Sequence, residues 1–306
     1  MTSILIRAAA LAALIVLGYS LKKSRVLKRE DFAVLTQLVM KITLPCAVIT
    51  NFSNLKVETS FLLLVVLGVA SNVIMLGLGY LLSLRRTREE KAFSMINSAG
   101  YNIGSFSMPY LQSFLNESGI LAVCLFDAGN SLMCTGMTYS IAAAVAGKER
   151  STVRTFLKNT LSSVPLLCYV AMTILSLLHL QLPEFFLATA KVAGDANPFL
   201  AMLLLGLSFE LKLSKEQAGR IVKILLVRYG TAILLALAAY RWLPFPIQLR
   251  QGMVLVLFAP LSSVCTIFTH RIRGNTELSG TLNSISIVCS ILIMTGLMLW
   301  MQAVSG

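Results

Sequence analysis

The sequence predicts an all-α integral membrane protein with ten transmembrane helices in two inverted five-helix repeats. Three observations predict it: the composition, the spacing of apolar runs and charges, and landmarks that recur half a chain apart. Of the 306 residues, 57% are hydrophobic and 13% are charged, about half the charge of an ordinary globular protein. This composition excludes a soluble enzyme or a disordered chain as the leading interpretation. The long continuous apolar runs disfavour a membrane β-barrel, whose strands alternate polar and apolar residues.

The apolar residues form ten runs. A helix needs about 20 apolar residues to cross the hydrocarbon of a bilayer. The runs of this length are numbered here as spans one to ten: 4–21, 32–52, 60–84, 92–114, 119–146, 159–180, 184–209, 224–240, 247–269 and 279–302. Span one is predicted to be a membrane helix rather than a cleaved signal peptide. It has no basic segment before it, and Lys22, Lys23 and Arg25 follow it.

The basic residues are distributed unequally between the segments that connect the spans, which are called joins here. Nineteen lie in the joins after odd-numbered spans and three in the joins after even-numbered spans. Cytoplasmic loops carry such an excess of Lys and Arg. The pattern therefore predicts a multi-pass protein of the cell membrane with both termini outside. Basic joins that face anionic cytoplasmic lipid also account for most of the net charge of +13. Nucleic acid is therefore not expected as a partner.

Three landmarks recur at nearly one offset, 151 to 153 residues: Pro45 with Pro198, Pro109 with Pro260, and Asn130 with Asn283. Two halves of five helices each would have opposite orientations in the membrane, as in the inverted repeats of transporters. The predicted halves are residues 1–147 and 148–306.

Spans four and nine are predicted to be broken helices. Span four holds two glycines, three serines, an asparagine and a proline between Ser98 and Pro109, which disfavours a continuous helix. Span nine contains the milder sequence Ala259-Pro260-Leu261-Ser262-Ser263. Paired broken helices at matching places in two halves indicate the midplane site of a transporter. The alternative is a pair of simple proline kinks.

At these residues the chain resembles the auxin efflux carrier family of membrane transporters. The family pattern Asn-x-Gly-x-x-Gly-x-Pro is matched from Asn102 to Pro109, with Ser107 where the second glycine usually stands. The stretch Phe126-Asp127-Ala128-Gly129-Asn130 is similar to the family's fifth helix. Residues 259–287 are similar to the ninth and tenth helices, although Ser263 and Val264 stand where an asparagine is often found. The resemblance covers essentially the whole chain.

The resemblance implies that helices four and nine cross at their prolines. It also implies a scaffold part and a mobile transport part that exchange access by an elevator-like movement. Family substrates are organic anions, including auxin-type carboxylates and dicarboxylates such as malate. The long cytoplasmic loop of plant hormone exporters is missing, so a bacterial solute carrier is the closer match. The two departures from the family pattern leave the substrate open.

The expected substrate-binding residues lie at the two breaks and on the spans that follow them. Exposed backbone N–H groups and helix N-termini can bind a carboxylate there, and polar side chains can add donors. The predicted residues are Asn102, Gly104, Ser105, Pro109, Asn130, Pro260, Ser262, Ser263 and Asn283.

Ionisable side chains inside spans are costly, so they are candidates for function. Arg7 and Arg228 are expected to reach out to the lipid headgroups. Asp127 is expected to hydrogen-bond the crossing or to bind a coupling cation.

Lys41 and Asp195 precede the equivalent prolines of the two halves by one turn. They are predicted to form an ion pair or to couple transport to protons. The alternatives are separate solvation or a pair between Asp195 and Lys191, four residues earlier.

These features predict a secondary active transporter of a small organic anion and not an enzyme. The two histidines, His179 and His270, are far apart, and no catalytic motif, metal site or cofactor site is present in the sequence. Protons and sodium are the candidate coupling ions, and a homodimer is a candidate assembly. A sodium-coupled symporter of bile-acid type is the alternative within transport, and a membrane sensor is the alternative outside it.

Overall fold

The computed structural model describes residues 2–53, 57–148, 152–210 and 215–305. Within these residues the regular secondary structure is helical, apart from an isolated antiparallel β-bridge between Tyr101 and Leu261. The helices are α1 (Thr2–Lys23), α2 (Asp31–Phe52), α3 (Thr59–Leu82), α4 (Arg88–Ser98), α5 (Ile103–Ser107 continued by Met108–Leu111), α6 (Glu117–Val145), α7 (Val153–Leu161), α8 (Val164–Leu177), α9 (Glu184–Ser208), α10 (Lys215–Trp242), α11 (Ile247–Leu257), α12 (Val264–Arg271) and α13 (Thr276–Ser305).

The helices agree with the prediction of an all-α membrane protein. Seven described helices are long and apolar enough to cross a membrane, namely α1, α2, α3, α6, α9, α10 and α13. The pair α7 and α8 is bent by 70° and makes an eighth if it is counted as one span. Spans four and nine are each divided into two short helices, α4 with α5 and α11 with α12. The count of ten spans and the inverted repeat stay predictions.

The prolines of α2 and α9 lie beside a polar link between these two helices. A five-residue π-turn, Val39–Thr43, precedes Pro45 in α2. Such a turn accommodates a residue that has no N–H group and whose ring crowds the preceding turn. The Thr43 hydroxyl donates a hydrogen bond of 2.9 Å to Oδ1 of Asn197, the residue before Pro198. Both side chains are buried, so the bond joins α2 to α9 inside the protein.

The described helices pack mainly in two groups, which also contact each other where α1 meets α13 and where α2 and α8 meet α6. In the first, α9 packs against α1 and α2, and α8 packs against α2. In the second, α3 packs against α4 and α6, α11 packs against α6 and α10, and α12 packs against α4 and α13. The short helix α5 contacts α9 of the first group and α6 of the second.

Glycine permits the closest helix contacts in each group. A Cβ atom added to Gly18 in α1 would clash with the Leu203 carbonyl of α9. One added to Gly129 in α6 would clash with the Val65 carbonyl of α3. Small residues at helix interfaces let backbones approach closely, and this supplies packing energy where lipid removes the usual hydrophobic drive between helices.

Candidate functional site

The two broken helices meet backbone to backbone. The Tyr101–Leu261 bridge joins the break between α4 and α5 to the break between α11 and α12. The Asn102 N–H donates a hydrogen bond of 2.9 Å to the Pro260 carbonyl. Backbone that is not helical survives at membrane depth only where protein or a water-filled cavity satisfies its polar groups. Here each break satisfies part of the other.

The first break lies at glycine rather than at proline. Gly100 has φ +80°, a left-handed conformation that side chains disfavour, and α4 ends at Ser98 just before it. Pro109 lies seven residues after Asn102, inside α5. The expectation that both helices cross at their prolines is therefore wrong for span four. It holds for span nine, where Pro260 itself accepts the bond from Asn102.

Two buried asparagines hold the first break in place. Asn130 of α6 accepts from the Tyr101 N–H at 3.1 Å and donates to the Tyr101 carbonyl at 2.9 Å. Asn72 of α3 accepts from the Gly100 N–H at 2.8 Å and donates to Asn130 at 3.2 Å. Asn130 was predicted as a site residue, whereas Asn72 was missed. The feature of the sequence that could have identified Asn72 is a single amide side chain within the apolar span three.

The second break is held differently. The Leu261 N–H donates to the Ser286 hydroxyl of α13 at 2.9 Å, and that hydroxyl donates to the Asn283 carbonyl at 2.7 Å. Ser286 therefore supports the second break, whereas Asn130 supports the first. Asn283 corresponds to Asn130 in sequence, yet its side chain has a different contact.

Three polar side chains face one another beside the crossing. The amide nitrogens of Asn102 and Asn283 lie 3.3 and 3.5 Å from the Ser263 hydroxyl. Ser263 is exposed, whereas both asparagines are buried, and Oδ1 of Asn283 is buried with no hydrogen-bond partner in the described structure. A buried acceptor without a partner is costly, so it calls for a donor from a bound molecule or water. Residues predicted from both breaks are thus brought together.

Ser262 and Cys134 extend this polar region. Ser262 is buried, and its hydroxyl lies 3.8 Å from the Cys134 thiol of α6. Ser105 is half-buried in α5, where its hydroxyl lies 3.6 Å from the Met40 sulfur of α2. Gly104 lies next to it against Leu44, so α5 packs against the π-turn of α2.

Arg228 is the functional candidate that the sequence interpretation placed wrongly. Its side chain is 1% exposed and does not reach a membrane surface. Its guanidinium donates to the Ser98 carbonyl at 2.8 Å, to the Ala259 carbonyl at 2.9 Å and to the Pro260 carbonyl at 3.1 Å. The last carbonyls of a helix accept no hydrogen bond from the helix itself, and they carry partial negative charge. Arg228 therefore caps the end of α4 and binds the backbone of the break that follows α11, 4.9 Å from the centre of the Tyr101 ring.

Asp127 connects the crossing to the first group of helices. One carboxylate oxygen accepts from Asn130 at 2.9 Å, and the other accepts from the Tyr169 hydroxyl of α8 at 2.7 Å. Asp127 and Tyr169 are both buried, and Gly104 of α5 lies beside the same carboxylate. The chain Tyr101–Asn130–Asp127–Tyr169 thus links the broken helix to the other helix group.

The predicted Lys41–Asp195 ion pair is not formed among the described residues. Asp195 instead pairs with Lys191 at 3.0 Å, which is the alternative that spacing on one helix face allowed. The two side chains are 60% and 69% exposed. Lys41 is exposed on the π-turn of α2.

The family of membrane transport proteins, the auxin efflux carrier family, matches residues 3–298. The chain belongs to this family. An uncharacterized transporter of Methanothermobacter thermautotrophicus (strain Delta H) is 23% identical over 210 residues, which cover 67% of this chain and 68% of that protein. Membership and the apolar helices make the protein a membrane transporter, and no feature of the family indicates catalysis.

Proposed function

We propose that the protein is a secondary active transporter that moves a small organic anion, a carboxylate such as malate or an auxin-like acid, across the cell membrane. The observation that carries the proposal is the crossing of two broken helices beside Asn102, Ser263 and Asn283. Broken helices that cross near mid-membrane are where transporters bind their substrates. Amide and hydroxyl groups can donate to carboxylate oxygens.

The charges at the crossing favour an anion. Two helices, α4 and α11, end there with partial negative charge. Arg228 binds the last carbonyl of α4 and the Ala259 and Pro260 carbonyls that follow α11, so its positive charge lies close to both helices. Two helices, α5 and α12, begin there, and the first N–H groups of a helix have no acceptor within it. These N–H groups and the charge of Arg228 suit a carboxylate on the side where α5 and α12 begin, and they act against the negative charge of Asp127.

The two helix groups support elevator-type alternating access. The group of α3, α4, α6 and α10 to α13 contains the crossing and would be the mobile part. The group of α1, α2, α8 and α9 would be the scaffold. We further propose ten spans with residues 1–147 and 148–306 as inverted repeats and both termini outside.

Asp127 is the strongest candidate for coupling transport to an ion. It is a buried carboxylate whose two bonds join the crossing to the scaffold. Gain of a proton or binding of sodium at this carboxylate would weaken the bond to Tyr169 and so free the mobile part. Lys41 would contribute by raising the potential near α5, whereas the exposed Asp195 contributes less.

Uptake by purified protein in proteoliposomes tests the proposal. Labelled malate and an aromatic carboxylate are offered to the wild-type protein and to Asn102→Ala and Lys41→Ala variants. Loss of the Asn102 donor should reduce uptake about tenfold, the effect of one hydrogen bond to a charged group. Asn51→Ala and Lys191→Ala are matched controls, since both side chains lie in the scaffold group and away from the crossing.

Undiminished transport by both Asn102→Ala and Lys41→Ala would contradict the proposed site. Replacing sodium by choline, with and without a pH gradient, separates the coupling ions. Strict dependence on sodium would favour the symporter of bile-acid type. Ligand binding without flux would favour a membrane sensor.

A further inference from the structure

A polar cavity lies away from the crossing, among the ends of α3, α4, α10 and α13. Its volume is about 460 Å³, within the range of small-molecule sites. The segments that line it belong to the joins after spans three, seven and nine, all of which are predicted to face the cytoplasm. In the predicted topology the cavity would lie at the level of the inner lipid headgroups.

The cavity lining carries a surplus of positive charge. Three cations, Arg86, Arg220 and Lys223, line it together with one carboxylate, Glu90. Cations gathered in one cavity repel each other, and an anion bound among them would relieve that repulsion. Removing this repulsion provides binding energy that an isolated surface charge cannot supply.

Glu90 does not neutralise the cavity, because its carboxylate is already engaged. It accepts from the Thr87 N–H at 3.4 Å, which completes the N-terminal cap of α4. It also pairs with Arg220 at 3.5 Å. Glu90 and Arg220 thus offset one another, and the charges of Arg86 and Lys223 remain.

Arg220 is held in a fixed position. Its guanidinium lies 4.3 Å from the centre of the Phe93 ring, and it also donates to the Glu90 carbonyl at 3.4 Å. A planar guanidinium held by stacking loses little conformational freedom when it binds an anion. Arg86 and Lys223 are exposed and can close around a ligand beside it.

The apolar part of the lining suits an amphipathic ligand. Leu82 is exposed at the end of α3, while Ile224 and Leu278 are buried in the wall. Basic pockets between membrane helices on the cytoplasmic side bind lipid headgroups. We propose that this cavity binds a phosphate group, supplied by the headgroup of an anionic phospholipid, and that the bound lipid holds α3, α4, α10 and α13 together.

Thermal unfolding of the purified full chain in detergent micelles tests the site. Phosphatidylglycerol should raise the midpoint temperature more than phosphatidylcholine does at the same concentration. A parallel titration with sodium phosphate against sodium chloride of equal ionic strength separates the two sources of phosphate. A shift with phosphatidylglycerol alone supports a lipid site, and a shift with inorganic phosphate supports a phosphate site that a soluble anion can fill.

The decisive variant is Arg86→Gln with Lys223→Gln, which spares the packed Arg220. The concentration of phosphatidylglycerol that gives half the shift should rise about 25-fold, about fivefold for each charge removed. The matched control is Arg154→Gln with Lys158→Gln, since both side chains are exposed on α7 in another predicted inner join. It should behave as the wild-type protein does.

Two results would overturn the proposal. One is an equal response of the Arg86→Gln, Lys223→Gln variant and the wild-type protein to phosphatidylglycerol. The other is a wild-type protein that responds to neither phosphatidylglycerol nor inorganic phosphate beyond the phosphatidylcholine and chloride controls.

Discussion

Arg228 donates a hydrogen bond of 2.8 Å to the carbonyl of Ser98, the last residue of α4. The same guanidinium reaches the Ala259 and Pro260 carbonyls that follow α11, so one side chain of α10 satisfies carbonyls at the breaks of both spans. A neutral side chain could donate to these carbonyls but could not offset the dipole of α4.

Replacing Arg228 with Met should destabilise the protein and abolish transport. Three hydrogen bonds from a charged donor are lost and the carbonyls stay buried, so the free energy of unfolding should fall by about 3 kcal/mol or more. Thermal unfolding in detergent and uptake in proteoliposomes measure the two effects. Arg241→Gln, on an exposed turn of the same helix, should change stability by no more than about 0.5 kcal/mol. A stable, active Arg228→Met variant would contradict the capping role.

Asp127 and Tyr169 should show strong energetic coupling. Their hydrogen bond is buried and one partner is a carboxylate, so a double-mutant cycle should give about 1.5–3 kcal/mol. The cycle uses Asp127→Asn, Tyr169→Phe and the double variant, with unfolding in detergent as the measurement. Tyr169→Phe should also alter transport rate, because it removes a bond between the two helix groups. Additive effects of the two substitutions would show that the bond is unimportant.

The exposed pair of Lys191 and Asp195 should contribute little. The two side chains are more than half exposed, so their coupling should stay below about 1 kcal/mol. Lys191→Gln and Asp195→Asn should each retain transport near the wild-type rate. A large loss of uptake in Asp195→Asn alone would return this residue to the list of coupling candidates.

Gly129 should not tolerate alanine. The added Cβ would clash with the backbone of α3 at Val65, which cannot move without separating the helices. We expect a loss of about 3 kcal/mol or more, at the upper end of overpacking effects. Gly77→Ala is the matched control, because nothing lies within 4 Å of a Cβ there, and in a helix it should stabilise by about 0.5–1 kcal/mol. Similar unfolding temperatures for the two variants would refute the close contact.

Much of the fold could be predicted from the sequence. The positions of the seven long apolar helices follow from apolar runs, because crossing a bilayer sets a minimum length for each run. The breaks in spans four and nine follow from local composition, since glycine and proline weaken a helix wherever they stand. The predicted residues Asn102, Ser263 and Asn283 lie together because the two breaks meet backbone to backbone beside α13.

The polar partners could not be predicted in this way. Arg228 was expected at the lipid surface because it lies near a basic join, yet it is buried against two helix ends. Asn72 and Tyr169 gave only weak signals in apolar spans. The spacing of charges along the sequence left Asp195 with two candidate partners, Lys41 and Lys191.

The sequence by itself determined that this is a helical membrane protein of the auxin efflux carrier type and that spans four and nine are broken, and it predicts which side of the membrane its basic joins face. These properties depend on composition and local order along the chain. The tertiary structure alone decided that Arg228 caps both breaks, that Asn130 holds only the first, and that Asp127 bonds to Tyr169. Each buried polar group must find a partner, and which partner it finds depends on the helices packed beside it.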